Sequence, residues 1–139
     1  MEQNLKELLL RDLCARLPYM PKIKITYQQQ GIKGTDEGNV SCDFIEKIVN
    51  DLRNGVITDM QIFLRPMSSM TEDENKERKQ LGILCVINGN HERIFDGFGN
   101  ESADTQLKAL DWLNAHHFDY RGLIEKNLAL DCTGFHIYD

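Results

Sequence analysis

No stretch of this chain approaches the roughly 20 consecutive apolar residues that a membrane-spanning helix needs. The longest apolar run near the start, Leu8-Leu9-Leu10, is flanked by Glu7 and Arg11. That is too short for the roughly 7–15-residue core of a secretory leader. A cytoplasmic protein is the expectation, with no membrane partner. Paired cysteines are missing too. Cys14, Cys42, Cys85 and Cys132 are far apart and form no Cys-x-x-Cys knuckle. A four-cysteine zinc site is therefore disfavoured, and reduced, buried thiols are expected. Positive charge is also in deficit. Lysine and arginine total 16 against 22 acidic residues, for a formal net charge of -6. Wrapping a phosphate backbone needs a concentrated basic surface, so nucleic acid is not an expected partner. The one basic cluster, residues 76–79, is interleaved with Glu72, Asp73, Glu74 and Glu77. It reads as the solvated face of a helix.

What is present fits an ordinary globular protein. The 139 residues suffice for one domain with a real core, and no linker, repeat or low-complexity tract divides them. Leu5, Leu8, Leu9, Leu13 and Leu17 fall on one helical face, predicting a helix over 3–17, closed by Pro18 and Pro21. Residues 22–28 alternate, with Ile23, Ile25 and Tyr27 on one side, and predict a half-exposed strand. The polar, Gly-rich segment 31–38 reads as a loop or hairpin connection. Val40, Cys42 and Phe44 read as a second strand. Residues 44–53 fit helical spacing better than alternation, although the segment is short and β-branched. Asn54-Gly55 marks a turn into a strand over 56–64, ended by Arg65-Pro66.

Thr71 and Glu74 have capping-box spacing, so a charged surface helix should run to about Gln80. Segments 83–87 and 92–98 predict a hairpin around Asn88-Gly89-Asn90. A helix over 104–117, capped by Asp104 or Ser102, should bury a stripe of Leu107, Leu110, Leu113 and His117, widened by Ala109 and Trp112. A second short helix, Tyr120 to Lys126, is expected to start from an Asp119 cap and stop at a left-handed Asn127. The sum is an α+β fold: a small antiparallel sheet packed with N-terminal and C-terminal helices, one domain over residues 1–139.

Chemistry is harder to find. His91, His116, His117 and His136 raise the question of a metal. Helical ligand pairs are spaced i,i+3 or i,i+4, whereas His116 and His117 are adjacent and diverge by about 100°. A metal-dependent hydrolase using His91, His116 or His117 with Asp119 is the rival enzyme reading. The favoured reading assigns no catalytic residue, metal or cofactor. Cys132 with His136 lies in an expected tail, and Cys14 is expected in the core. Ser68-Ser69 lacks the glycines of a nucleophile elbow. The sequence Gly31-Ile32-Lys33-Gly34-Thr35 falls short of a phosphate loop and is followed by Asp36 and Glu37. Trp112, Phe118, Tyr120 and Arg121 are types enriched in interface hot spots, and equally what a helix corner packs over a sheet. They are the candidate partner-binding residues.

Three blocks carry a resemblance. Residues 6–19 end in Leu13-Cys14-Ala15-Arg16-Leu17-Pro18-Tyr19. The second block is Leu64-Arg65-Pro66-Met67-Ser68-Ser69-Met70-Thr71-Glu72. The third, residues 111–130, contains Asp111-Trp112-Leu113-Asn114-Ala115-His116-His117-Phe118-Asp119-Tyr120-Arg121-Gly122-Leu123-Ile124-Glu125-Lys126. Together, over about a third of the chain, they resemble short uncharacterised proteins of gut anaerobic bacteria, many carried on mobile elements. The chain departs from those proteins at Met20-Pro21, where they are more Gly-Val-like, at Asn127, where Gly is usual, and in the tail 132–139. The resemblance implies a shared frame with a variable β face and a bacterial cytosolic setting. It brings no known activity, so no functional residue carries over. The expected role is a non-catalytic protein-binding accessory module of a mobile element.

Overall fold

A computed structural model describes residues 2–80, 84–88, 91–95 and 103–138, with the backbone alone for 84–88, 91–95 and 103–106. The order is α1 (Gln3–Arg16), β1 (Lys22–Gln29), β2 (Ile32–Asn39), α2 (Ile45–Arg53), β3 (Ile57–Pro66), α3 (Glu72–Gln80), β4 (Leu84–Asn88), β5 (His91–Phe95), α4 (Ala103–Ala115), β6 (Phe118–Asp119) and β7 (Ala129–Asp131). The α+β class is as expected. The helices at 3–17 and 44–53, the strand at 22–28 and the hairpin near residue 88 are all present. Gly89 and Asn90 of that hairpin, and the Ser102 cap, lie outside the described residues. Asp104 lies inside α4 rather than before it.

β3 is the spine of the larger sheet. It pairs antiparallel with β1, and β1 pairs antiparallel with β2. The sheet is nevertheless mixed, because β6 and β7 both lie parallel to β3. Parallel strands need a long crossover. Here the chain supplies it through α3, β4, β5 and α4 before returning to β3.

The segment 31–38 is a hairpin: Gly31 belongs to the turn and residues 32–38 to the strand β2. Gln30 (φ 51) and Gly31 (φ 78) form the whole turn, both left-handed as a tight two-residue hairpin requires. Polar, Gly-rich β2 buries almost nothing, so it has no apolar alternation to announce it. Its order comes from the unbroken ladder with β1. The strand expected at Val40, Cys42 and Phe44 is absent. Val40 is buried and its N–H closes the hairpin on the Pro21 carbonyl (2.8 Å), and a turn then leads into α2.

The core face of the sheet carries Ile23, Met60, Ile62 and Leu64, covered by Leu9 and Leu13 of α1, Leu52 of α2, and Leu123 and Leu128. Full burial of each such side chain contributes about 1.5–3 kcal/mol. Cys14 points out of α1 and is exposed, as is Cys42, so the expected burial holds for Cys132 and fails for these two. A second cluster joins Ala109, Trp112, Leu113, Phe118 and Tyr120.

The buried face of α4 keeps the expected Ala109, Trp112 and Leu113 and loses Leu107 and His117. Leu107 is 63% exposed, while Ala109, Trp112, Leu113 and Asn114 are buried. The large indole sets the inward face. The helix stops at Ala115, so His117, in the left-handed region (φ 61), lies beyond it. No helix forms over 120–126; that stretch is a run of turns ended by left-handed Asn127 (φ 59). Among the described residues, no helix is long and apolar enough to cross a membrane.

Candidate functional site

Blocks distant in sequence meet at the end of β3. α1 sends Arg16, fully buried, into this junction. Its Nε donates to Asp12 Oδ2 (2.7 Å), and its Nη2 donates to Asp12 Oδ1 (3.2 Å) and to the Phe118 carbonyl (2.7 Å). The guanidinium also lies 4.9 Å from the centre of the Tyr120 ring. Tyr120 donates its hydroxyl to Asn114 Oδ1 (2.8 Å), and Arg121 Nε reaches Asp12 Oδ1 at 3.4 Å. A buried ion pair survives only when further hydrogen bonds satisfy both partners. Bonds from the segment just after α4 supply part of this, so the first and third blocks close one network, and Arg16 Nη1 alone of the guanidinium nitrogens is buried without a hydrogen-bond partner among the described residues.

The second block builds the adjoining wall. Thr71 N–H donates to Glu74 Oε1 (3.0 Å) and Glu74 N–H to Thr71 Oγ1 (3.2 Å), which is the expected capping box. The same carboxylate takes both Nη atoms of Arg65 (2.7 and 2.6 Å). This fork holds the Glu74 carboxyl down to about 2, against an ordinary value near 4.5. Arg65 also lies over the Phe118 ring at 4.3 Å. Trp112 Nε1 donates to Glu77 of α3 (3.1 Å), tying the charged helix to α4.

Beside this wall lies a cavity of about 490 Å³, lined among others by Arg65, Glu74, His116, His117, Cys132 and His136. Residues 132–138 are tied to the sheet at their two ends, by buried Cys132 and half-buried Tyr138, while residues 133–136 between them are exposed. Tyr138 anchors the second end: its hydroxyl accepts from the Lys22 N–H (2.8 Å) and donates to the Phe63 carbonyl (2.7 Å). Its ring stacks on His117 at 3.4 Å. Burial, helped by the charge of Arg16, pulls the His117 pKa down to about 4, so the imidazole is neutral near pH 7. Burial also raises the Tyr138 phenol to about 12 and pushes the Cys132 thiol upward, away from the reactive thiolate.

The expected site residues divide as follows. Trp112, Phe118 and Tyr120 are buried at 7%, 0% and 4% exposure, which is the core role. In the single chain these rings offer little contact area, and of the four anchors Arg121 has the most exposed side chain, at 23%. His116, His117 and His136 line that one cavity, and Asp119 is not among its lining residues. Asp119 spends both oxygens on the N–H groups of Leu123 (2.8 Å) and Ile124 (3.0 Å). His116 Nδ1 is 2.8 Å from the Trp112 carbonyl. The His91 side chain lies outside the described residues. Among the described residues, no group of three or more His, Cys, Asp or Glu is placed to hold a metal. Cys132 and His136 do share a cavity wall, while Ser69 donates its hydroxyl to the Pro66 carbonyl (2.7 Å).

Sequence reasoning missed Asp12, Arg16, Asn114, Arg65 and Tyr138. Asp12 and Arg16 had i,i+4 spacing, the one signal available. Arg65 and Tyr138 meet partners on other elements, which no local spacing reveals. No protein-family model, no curated protein and no solved structure matches the chain.

Proposed function

We propose that this chain is a non-catalytic binding module, acting on another protein in the bacterial cytoplasm as an accessory of a mobile element. The observation that carries the non-catalytic part is the engagement of three groups suited to chemistry, while the buried His117 Nδ1 has no hydrogen-bond partner among the described residues. Asp119, Glu74 and His116 are held in bonds that build the frame, and Cys132 is buried with a raised pKa. The setting rests on the resemblance of the three blocks. The acidic balance, -6 overall, suits protein partners better than nucleic acid.

With the aromatic corner buried, the recognition surface moves to its outer side. Met67 and Met70 line a cleft of about 340 Å³ with Thr71, Glu72, Asn75 and Arg78. Methionine adapts its shape to an apolar side chain, and the mixed charges of α3 tune association rate more than affinity. The test is affinity capture from the native host with wild-type protein beside Met70→Glu and Arg121→Ala variants of unchanged circular dichroism. A partner held by the wild type and lost from Met70→Glu supports the reading. Identical captures from all three, or recovery of nucleic acid throughout, refute it. Stoichiometric metal in protein purified without chelator, lost on His117→Ala, would favour the hydrolase instead.

A further inference from the structure

We propose that β2 is the seat of a symmetric dimer, in which two copies of this chain pair β2 with β2 antiparallel and continue one sheet through both. β2 is the terminal strand in the order β2-β1-β3-β6. Every residue in it but Gly34 is exposed. Edges guarded against pairing carry charged side chains, a proline or a bulge, and β2 has charges at Lys33, Asp36 and Glu37, which guard it only against a partner that does not match them. β2 contains no proline, and its ladder with β1 runs from Lys22–Asn39 to Gln29–Ile32 without a shift.

The direction of the free backbone groups follows from the ladder. The Val40 N–H bonds the Pro21 carbonyl, and hydrogen-bonded pairs alternate along an antiparallel ladder. Ile32, Gly34, Asp36 and Gly38 therefore turn their N–H and C=O groups toward β1. Lys33, Thr35 and Glu37 turn theirs outward. The Glu37 N–H is meanwhile capped by the Asp36 carboxylate (2.9 Å).

One register satisfies both faces. With the twofold axis at Thr35, Lys33 of each copy stands opposite Glu37 of the other, and Thr35 opposite Thr35. Opposite charges across a strand pair are favourable. The row also continues a pattern already present, because Glu37 faces Lys24 within its own chain and Lys22 Nζ lies 4.0 Å from it. On the core side, the same register sets Ile32 opposite Gly38. A Cβ at Gly38 would meet nothing within 4 Å. Beside it runs a groove lined by Ile23, Ile25, Val40, Phe44 and Ile48. Ile32 is 66% exposed and Phe44 60% exposed in the single chain. In the dimer, Ile32 of each copy enters the groove of the other.

Asp36 falls opposite Gly34, whose bare backbone is crossed by the Tyr27 ring with its hydroxyl. That phenol donates to the second copy's Asp36, which frees the Glu37 N–H for the new ladder. Moving the axis to Asp36 would set like charges on each other. Moving it to Gly34 would leave Lys33 opposite Thr35. The register centred on Thr35 is the one that uses Lys33, Glu37, Ile32 and Gly38 together.

The test is sedimentation of the full chain over a range of concentrations. The wild type is expected to dimerise. Lys33→Glu and Glu37→Lys each place like charges at both symmetry-related pairs, and each should weaken self-association by about tenfold or more. Mixing these two variants restores both charge pairs in a heterodimer, so the mixture should associate where neither variant does alone. Thr35→Pro removes an outward N–H that the single chain does not use. It should yield a monomer with unchanged circular dichroism, and if it unfolds the charge variants decide. A wild type that stays monomeric throughout overturns the proposal. So does a dimer indifferent to the charge variants, or a mixture no tighter than its components.

Discussion

Replacing Arg16 with Leu should be among the most damaging single changes in this protein. Both side chains of the Asp12–Arg16 pair are at 0% exposure. The substitution removes the two bonds to Asp12 and the bond to the Phe118 carbonyl. It also leaves the Asp12 carboxylate buried, with Arg121 at 3.4 Å as its remaining cation. Breaking a buried pair from one side costs about 3–5 kcal/mol, because the surviving charge keeps its desolvation penalty. Against a total stability of about 5–15 kcal/mol, that approaches the margin of folding. With a urea slope of about 2 kcal/mol/M, the midpoint should fall by roughly 2 M. The double variant Asp12→Leu, Arg16→Leu removes both charges and should recover at least about 1 kcal/mol of that loss. Urea titration followed by circular dichroism measures all three. A loss below about 1 kcal/mol for Arg16→Leu, or strict additivity in the double variant, would refute the keystone role of this pair.

Acid should weaken the fold in two steps. Folded His117 resists protonation until about 4, whereas the unfolded chain takes the proton near 6.5, so stability falls as pH drops across that window. The loss is about 2 kcal/mol after allowing for partial solvent contact, and a His117→Phe variant should flatten it in urea midpoints measured from pH 7 to 4. Glu74 acts lower: its stabilisation is complete above about 4.5 and is lost as pH falls toward 2, and Glu74→Gln should remove that step. Tyr138→Phe leaves the Lys22 N–H and the Phe63 carbonyl without their bridge, at a cost of about 1–3 kcal/mol, read as faster amide exchange at Lys22. Thr71→Ala opens the capping box and should cost about 1 kcal/mol, with exchange rising in the first turn of α3.

Local rules made much of the frame legible. Thr71 and Glu74 lie three residues apart, and their capping box formed as spaced. The alternation of Ile23, Ile25 and Tyr27 marked β1 because one face of that strand is half-buried or better. β2 was illegible for the converse reason: an edge strand held by backbone bonds leaves no trace in its side chains. α4 was found with Ala109, Trp112 and Leu113 on its buried face, but leucine spacing also counted Leu107, which the packing leaves exposed. Asp119 was identified as a backbone acceptor, yet the segment it holds is turns and not helix. The parallel placement of β6 and β7 depends on pairing across some sixty residues, which no window of local sequence contains. Residues 111–130 drew attention rightly as a dense junction. Their aromatics proved to face inward, a distinction composition does not make.

That late pairing has a consequence for synthesis. β1, β2 and β3 are contiguous enough to zip while the chain is still on the ribosome. The part of β3 from Ile62 to Pro66 gains its parallel neighbours only when residues 118–131 emerge. At about 5–20 residues per second, the roughly 65 residues between Leu64 and Asp131 take about 3–13 s to translate. During that interval the leucines of α1 lack the cover of Leu123 and Leu128, and Arg16 lacks the Phe118 carbonyl. A nascent chain stalled before residue 118 therefore presents an unfinished sheet beside exposed leucines, the kind of surface that chaperones and proteases act on. The strand at Ala129–Asp131 completes the core, so fold quality is tied to translation through residue 131.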